Sequence, residues 1–328
     1  MRGIIAKIAD SYGLSCLHKE YSKTDQFYFN EEEFSLIDGD YKKFYTRPNL
    51  PEIHFQQNKI ESGYSKGKLK FSSEIDNGDI NADSIFYYNL CKDEPKNTSV
   101  ILIHGWRSEE LNRLENVFLS SFIEESYDIY SYILPFHMER CPAEAVYSGE
   151  YFFSANVNRT LKSVQQSVSD IRALIRCIKE EKCGKVIIIG LSLGGMISNL
   201  LCEVEENIDI LISLFYANDL HFTAYETIVG KFVKEDFMKN GFDKEQLKRS
   251  WSIINPSLKK PLIDRDKILL VSGYYDKYIM NKDSDILWTN WDKPKRYVYK
   301  CGHSGIVLNK SRIRNDVLSF IHEREYCH

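Results

Sequence analysis

A serine between two glycines, Gly190-Leu191-Ser192-Leu193-Gly194, follows the run Lys185-Val186-Ile187-Ile188-Ile189 and precedes Met196, Ile197, Leu200, Leu201 and Val204 at helical spacing. The β-branched run reads as a buried strand and the later residues as one face of a helix. A serine on such a strand-to-helix turn is held in a strained backbone conformation, and small flanking residues let strand and helix pass close together. Its hydroxyl then projects at the start of a helix, where free N–H groups and the helix dipole favour a developing anion. The chemistry that suits this position is nucleophilic attack by Ser192 on a carbonyl.

An unassisted hydroxyl is a poor nucleophile near neutral pH, so Ser192 needs a base and a group that orients the base. Gly302-His303-Ser304-Gly305 directly follows Tyr297-Val298-Tyr299, and its glycines allow the loop to turn an imidazole back over the end of a sheet. His303 is the expected base. Asp276 stands just past the apolar run Leu269 to Ser272 and is the expected acid, with Asp219 as its rival. His18, His54, His322 and His328 lie in segments remote from the strand ends, and His221 opens an insertion.

Charge that develops on the carbonyl oxygen needs donors as well. The run Ile101-Leu102-Ile103-His104-Gly105-Trp106 brings the N–H of Trp106 to a strand end, and the N–H of Leu193 follows the nucleophile. These two are the expected oxyanion donors, and the His104 ring is expected to pack at the strand end. Pro135 to Pro142 follows another strand, so Arg140, His137 and, from the first loop, Arg107 are candidate substrate residues for a carboxylate or phosphate. The alternative for an arginine here is pairing with Glu139 or Glu144 to fix the loop.

Positioning these groups requires strands that end on one side of a sheet. Val100–Ile103, Tyr127–Leu134, Val186–Ile189, Ile208–Tyr216, Ile268–Ser272 and Tyr297–Tyr299 read as strands. An earlier hairpin runs from Gly67 through a turn at Asp76-Asn77-Gly78 to Leu90. The clearest helix carries Leu161, Val164, Val168, Ile171, Leu174, Ile175 and Ile178 on one face, with Gly184 as its C-terminal signal, and a last helix carries Ile313, Val317, Phe320 and Ile321. Alternation of strand and helix implies an α/β architecture, a mostly parallel sheet covered on both faces. Between Tyr216 and Lys267 an aromatic, helical stripe and an Asp243–Gln246 capping box read either as core or as a cap that roofs a pocket for an apolar acyl group. Residues 1–66 suggest a short helix after Asn30 and carry no assignable chemistry.

At His104-Gly105-Trp106, Gly190 to Gly194, Gly273 to Asp276 and Gly302-His303, the chain resembles the α/β-hydrolase superfamily over roughly residues 67–325. It departs from the common pattern in having Trp106-Arg107-Ser108 where a longer glycine run would follow. The resemblance implies an eight-stranded sheet with its second strand antiparallel, a helical cap inserted after the sixth strand at about 218–262, and acyl transfer by Ser192, His303 and Asp276. It embraces esterases, lipases and prolyl-oligopeptidase-like hydrolases alike. The expected function is hydrolysis of carboxylic esters of a small or lipid-like acyl group, with no metal or organic cofactor. Peptide or thioester hydrolysis, or ligand binding without catalysis, are the alternatives.

Composition excludes several other classes. The 328 residues suit one large domain with insertions behind an N-terminal extension, and the formal net charge of -4, with lysines and acids interspersed, argues against nucleic acid as a partner. Eight scattered cysteines form neither a zinc nor a disulfide framework. No apolar stretch reaches the ~20 residues of a membrane span, and Lys7 and Asp10 interrupt the N-terminal apolar segment before a signal core is complete. The expected location is the cytoplasm; the sequence leaves the oligomeric state open.

Overall fold

The computed structural model describes residues 2–20, 27–37 and 40–325. Nine strands form one sheet: β1 (His54–Glu61), β2 (Tyr64–Ser72), β3 (Asp83–Cys91), β4 (Thr98–Ile103), β5 (Asp128–Tyr132), β6 (Lys185–Leu191), β7 (Ile210–Leu214), β8 (Ile268–Gly273) and β9 (Lys295–Tyr299). Their order across the sheet is β1-β2-β3-β5-β4-β6-β7-β8-β9. From β5 to β9 every neighbouring pair is parallel, while β1, β2 and β3 pair antiparallel with one another and β3 pairs antiparallel with β5.

The expected sheet had eight strands; the ninth is β1, an edge strand exposed along its whole length. Its residues alternate poorly and show no apolar face, which is why the pattern did not betray it. The sheet therefore begins at His54, inside the segment read as an extension. The expected hairpin is present as β2 and β3, with Leu69 in register with Phe86.

Strands β4 to β8 are buried on both faces apart from Lys185 at the start of β6, and the apolar runs 100–103, 186–189 and 268–271 are what such strands require. Ile101, Ile103 and Ile188 face one core layer, whereas Val100, Leu102, Ile187 and Ile189 face the other. The first layer is closed by the helices at Val157–Lys182 and Leu193–Cys202, the second by those at Asn112–Glu124 and Lys310–Glu325. The long helix starts at the Asn156 cap and ends with Cys183 in the left-handed region at φ 50°, so the turn falls one residue before the glycine expected to mark it.

Between β7 and β8 stand three helices, Leu220–Glu226, Lys231–Lys239 and Lys244–Ser250. The last opens with a complete Asp243–Gln246 capping box. Phe237 stacks on Phe242 and Tyr225 and meets Trp251 edge-on, so much of the aromatic stripe is core. The first helix, α1 (Arg2–Glu20), lies across the carboxyl ends of the strands. Among the described residues no helix is long and apolar enough to cross a membrane, and the seven described cysteines are free thiols; Cys327 and His328 lie outside the described residues.

Candidate active site

Three loops at the carboxyl ends of β6, β8 and β9 converge. Ser192 takes φ 57° and ψ -114°, a conformation that non-glycine residues reach only under strain. The surroundings hold it there. Its N–H donates to the Leu214 carbonyl at 2.9 Å, and its carbonyl accepts from Met196 at 3.1 Å and Ala217 at 3.0 Å. The flanking glycines are required by close approach: a Cβ on Gly194 would stand 2.2 Å from the Ile103 carbonyl oxygen, and one on Gly190 2.3 Å from that of Gly194.

Ser192 Oγ lies 3.1 Å from Nε2 of His303, and Nδ1 of His303 lies 2.8 Å from Oδ2 of Asp276. The other Asp276 oxygen accepts from the N–H groups of Tyr278 and Ile279, both at 2.8 Å, which fixes the carboxylate in its own loop. Tyr278 stacks on the imidazole with centroids 4.7 Å apart and planes 15° apart, and Phe215 meets it edge-on. Burial pushes the Tyr278 hydroxyl up to about 12. Asp219 is elsewhere engaged, as the N-cap that accepts from the backbone of His221 and Phe222.

The loop after β4 comes beside this group. His104 points away from the cavity: its Nδ1 donates to the Gly105 carbonyl and its Nε2 accepts from Leu134 N–H, so the ring joins the ends of β4 and β5. Burial lowers its imidazole to about 4. Trp106 borders the cavity, with its indole N–H donating to the Gly149 carbonyl at 2.7 Å.

Two of the three expected substrate residues are corrected. His137 is fully buried; Nδ1 donates to the Pro135 carbonyl, and Nε2 accepts from the backbone N–H of Arg107 at 3.3 Å. Burial, with His104 alongside, holds its imidazole well below the usual range, so it supports the loop from behind as a neutral ring. Arg140 is likewise buried, donating to the Ile133 carbonyl at 2.7 Å with Asp170 at 3.8 Å. Glu139, the partner considered for it, bonds Lys68 instead. Arg107 does border the cavity, its guanidinium over the Tyr147 ring and donating to the Leu17 carbonyl.

The cavity in front of Ser192 has a volume of about 300 Å³ and a mostly apolar wall that includes Leu193, Leu220, Val229 and Ile306. Gly13, Cys16 and Leu17 of α1 complete it. Sequence reasoning missed this contribution because α1 lacks a sustained apolar period. Arg107 and Arg113 are the cavity's arginines, and no acidic side chain borders it among the described residues.

No family model matches the chain. The uncharacterized protein YdjC of Bacillus subtilis (strain 168) is 46% identical over 114 residues, which is 35% of this chain and 98% of that protein. The uncharacterized protein Rv2627c of Mycobacterium tuberculosis is 28% identical over 183 residues, 54% of this chain but 42% of that longer protein. Among solved structures, acetyl xylan esterase from a Paenibacillus species superposes with a TM-score of 0.65 at 11% identity, covering 93% of this chain and 99% of the other. Acetyl xylan esterase 1 from Thermoanaerobacterium gives 0.61 at 13% identity, covering 92% and 98%. The acylaminoacyl peptidase of Pyrococcus horikoshii gives 0.58 at 14%, covering 81% of this chain and 42% of the peptidase.

Proposed function

Because the chain belongs to the family of the Bacillus subtilis protein YdjC and has the α/β-hydrolase fold, we propose that it is a serine hydrolase of carboxylic esters with a small or lipid-like acyl group. The observation that carries this reading is the unbroken hydrogen-bonded line Ser192–His303–Asp276 beside an apolar cavity.

In the proposed reaction Ser192 Oγ attacks the ester carbonyl carbon while its proton passes to His303 Nε2. Asp276 keeps the ring in the tautomer whose Nε2 is free to accept that proton, and it stabilises the imidazolium that forms. The N–H groups of Leu193 and Trp106 receive the developing oxyanion, a contribution of ~3 kcal/mol for one such donor. His303 then protonates the leaving alcohol, and an acyl-enzyme remains on Ser192. Water, deprotonated by the same ring, attacks the acyl carbon and releases the acid. In this reading Leu220, Thr223 and Val229 of the 218–262 segment roof the acyl group, and Arg107 at the cavity wall is the candidate partner for a charged end of the substrate.

A fluorophosphonate probe and a panel of nitrophenyl esters, acetyl first because two structural neighbours are acetyl xylan esterases, test the reading. The wild-type protein should be labelled and should turn over at least one ester, and Ser192→Ala should abolish both. Absence of Ser192-dependent labelling in folded protein would sink the proposal. Turnover of short peptides without esters would replace esterase by peptidase.

A further inference from the structure

We infer that Asp10, on α1 and outside the strand-end loops, is a positioning residue that holds the acid loop and the base loop in register with Ser192; this rests on the serine hydrolase reading. Its carboxylate is completely buried. Oδ2 accepts from the backbone N–H of His303 at 3.0 Å and of Lys277 at 3.3 Å, and Oδ1 accepts from Ser304 at 3.3 Å. One carboxylate thus bonds the amide of the base itself, the residue after the base and the residue after Asp276.

Among the described residues no cation pairs with it; the Lys277 ammonium turns to the Ser11 hydroxyl at 3.1 Å instead. Burying a carboxylate is costly and is offset here by three backbone donors. An apolar side chain would dock a helix at lower cost, so the carboxylate is better explained by what it orients than by adhesion. The fit is close on the loop side too, since a Cβ on Gly302 would stand 2.3 Å from Oδ2. Displacing the His303 backbone moves Nε2 relative to Ser192 Oγ, and a misplacement of about 1 Å can cost on the order of a hundredfold in rate.

The full-length wild type, Asp10→Asn, Gly302→Ala and Ser11→Ala are compared for hydrolysis of a nitrophenyl ester, rate of fluorophosphonate labelling and far-ultraviolet circular dichroism. Asp10→Asn turns an amide donor toward backbone donors, and Gly302→Ala pushes the same contact from the other side. Both should lower kcat by about tenfold to a hundredfold with KM within about twofold, and slow labelling in proportion. Ser11→Ala, which alters the same helix without touching the carboxylate, should retain kcat. A folded Asp10→Asn protein with kcat within about twofold of wild type overturns the inference. So does an Asp10→Asn protein that fails to fold beside a Gly302→Ala protein of normal kcat. A wild type that is not labelled at all fails the hydrolase reading, and this inference with it.

Discussion

The roles of two aspartates differ through what each carboxylate touches. Asp276 reaches His303 Nδ1 at 2.8 Å, whereas Asp219 caps a helix by accepting backbone N–H groups. Asp276→Asn would present an amide to the imidazole and favour the wrong tautomer, so kcat should fall by roughly 10⁴. Asp219→Asn keeps a capping side chain and should leave kcat nearly unchanged. Steady-state kinetics of the two variants decide the assignment, and the reverse result would move the acid to Asp219. Ser192 and His303 were legible because each sits within a few residues of a strand end, with glycines whose reason is local sterics. Asp10 was not legible, since its partners lie at the other end of the chain.

At the level of elements, the segment after β5 is bracing rather than a substrate loop. Arg140 joins it to β5 through Ile133 and the Tyr132 hydroxyl, to the Asn81 carbonyl, and to Asp170 on the long helix. Tyr132 and Ser73 complete the bonds to that carboxylate. Arg140→Leu should therefore cost about 3–5 kcal/mol of stability, because it strands a buried acid, while KM of the folded fraction stays the same. Urea unfolding beside steady-state kinetics measures both quantities, and a raised KM with normal stability would return Arg140 to the substrate. Position along the chain located this loop at the correct edge of the sheet but could not say which way its side chains turn. Burial of a charged residue depends on partners such as Asp170, thirty residues later, and short-range pattern carries no record of them. Strand β1 was missed for the opposite reason, because a fully exposed edge strand has no apolar face to read.

For the whole molecule, acid–base behaviour extends beyond the loops of the candidate site. Asp283 is nearly fully buried against Asn218 and Asp219, and desolvation, with the Asp219 charge adding, pushes its carboxyl up to about 7. Since its folded value lies above the unfolded 3.8, the stability it contributes is full below that pH and lost as pH rises through about 7. Asp283→Asn does not titrate, so its melting temperature minus that of the wild type should increase from pH 5 to pH 8; a constant difference would contradict the assignment. The other molecule-wide feature is the reach of α1, whose Asp10 bonds a residue 293 positions later. Contacts of such separation form late, after shorter loops have closed. On the ribosome α1 can meet Arg107 and Ile228 earlier, but Asp10 reaches its His303 and Ser304 partners only after the loop following β9 has emerged. A chain with most of its sheet assembled thus still lacks the Asp10 clamp, and the proposed alignment of Ser192, His303 and Asp276 is completed only when the loop after β9 joins it.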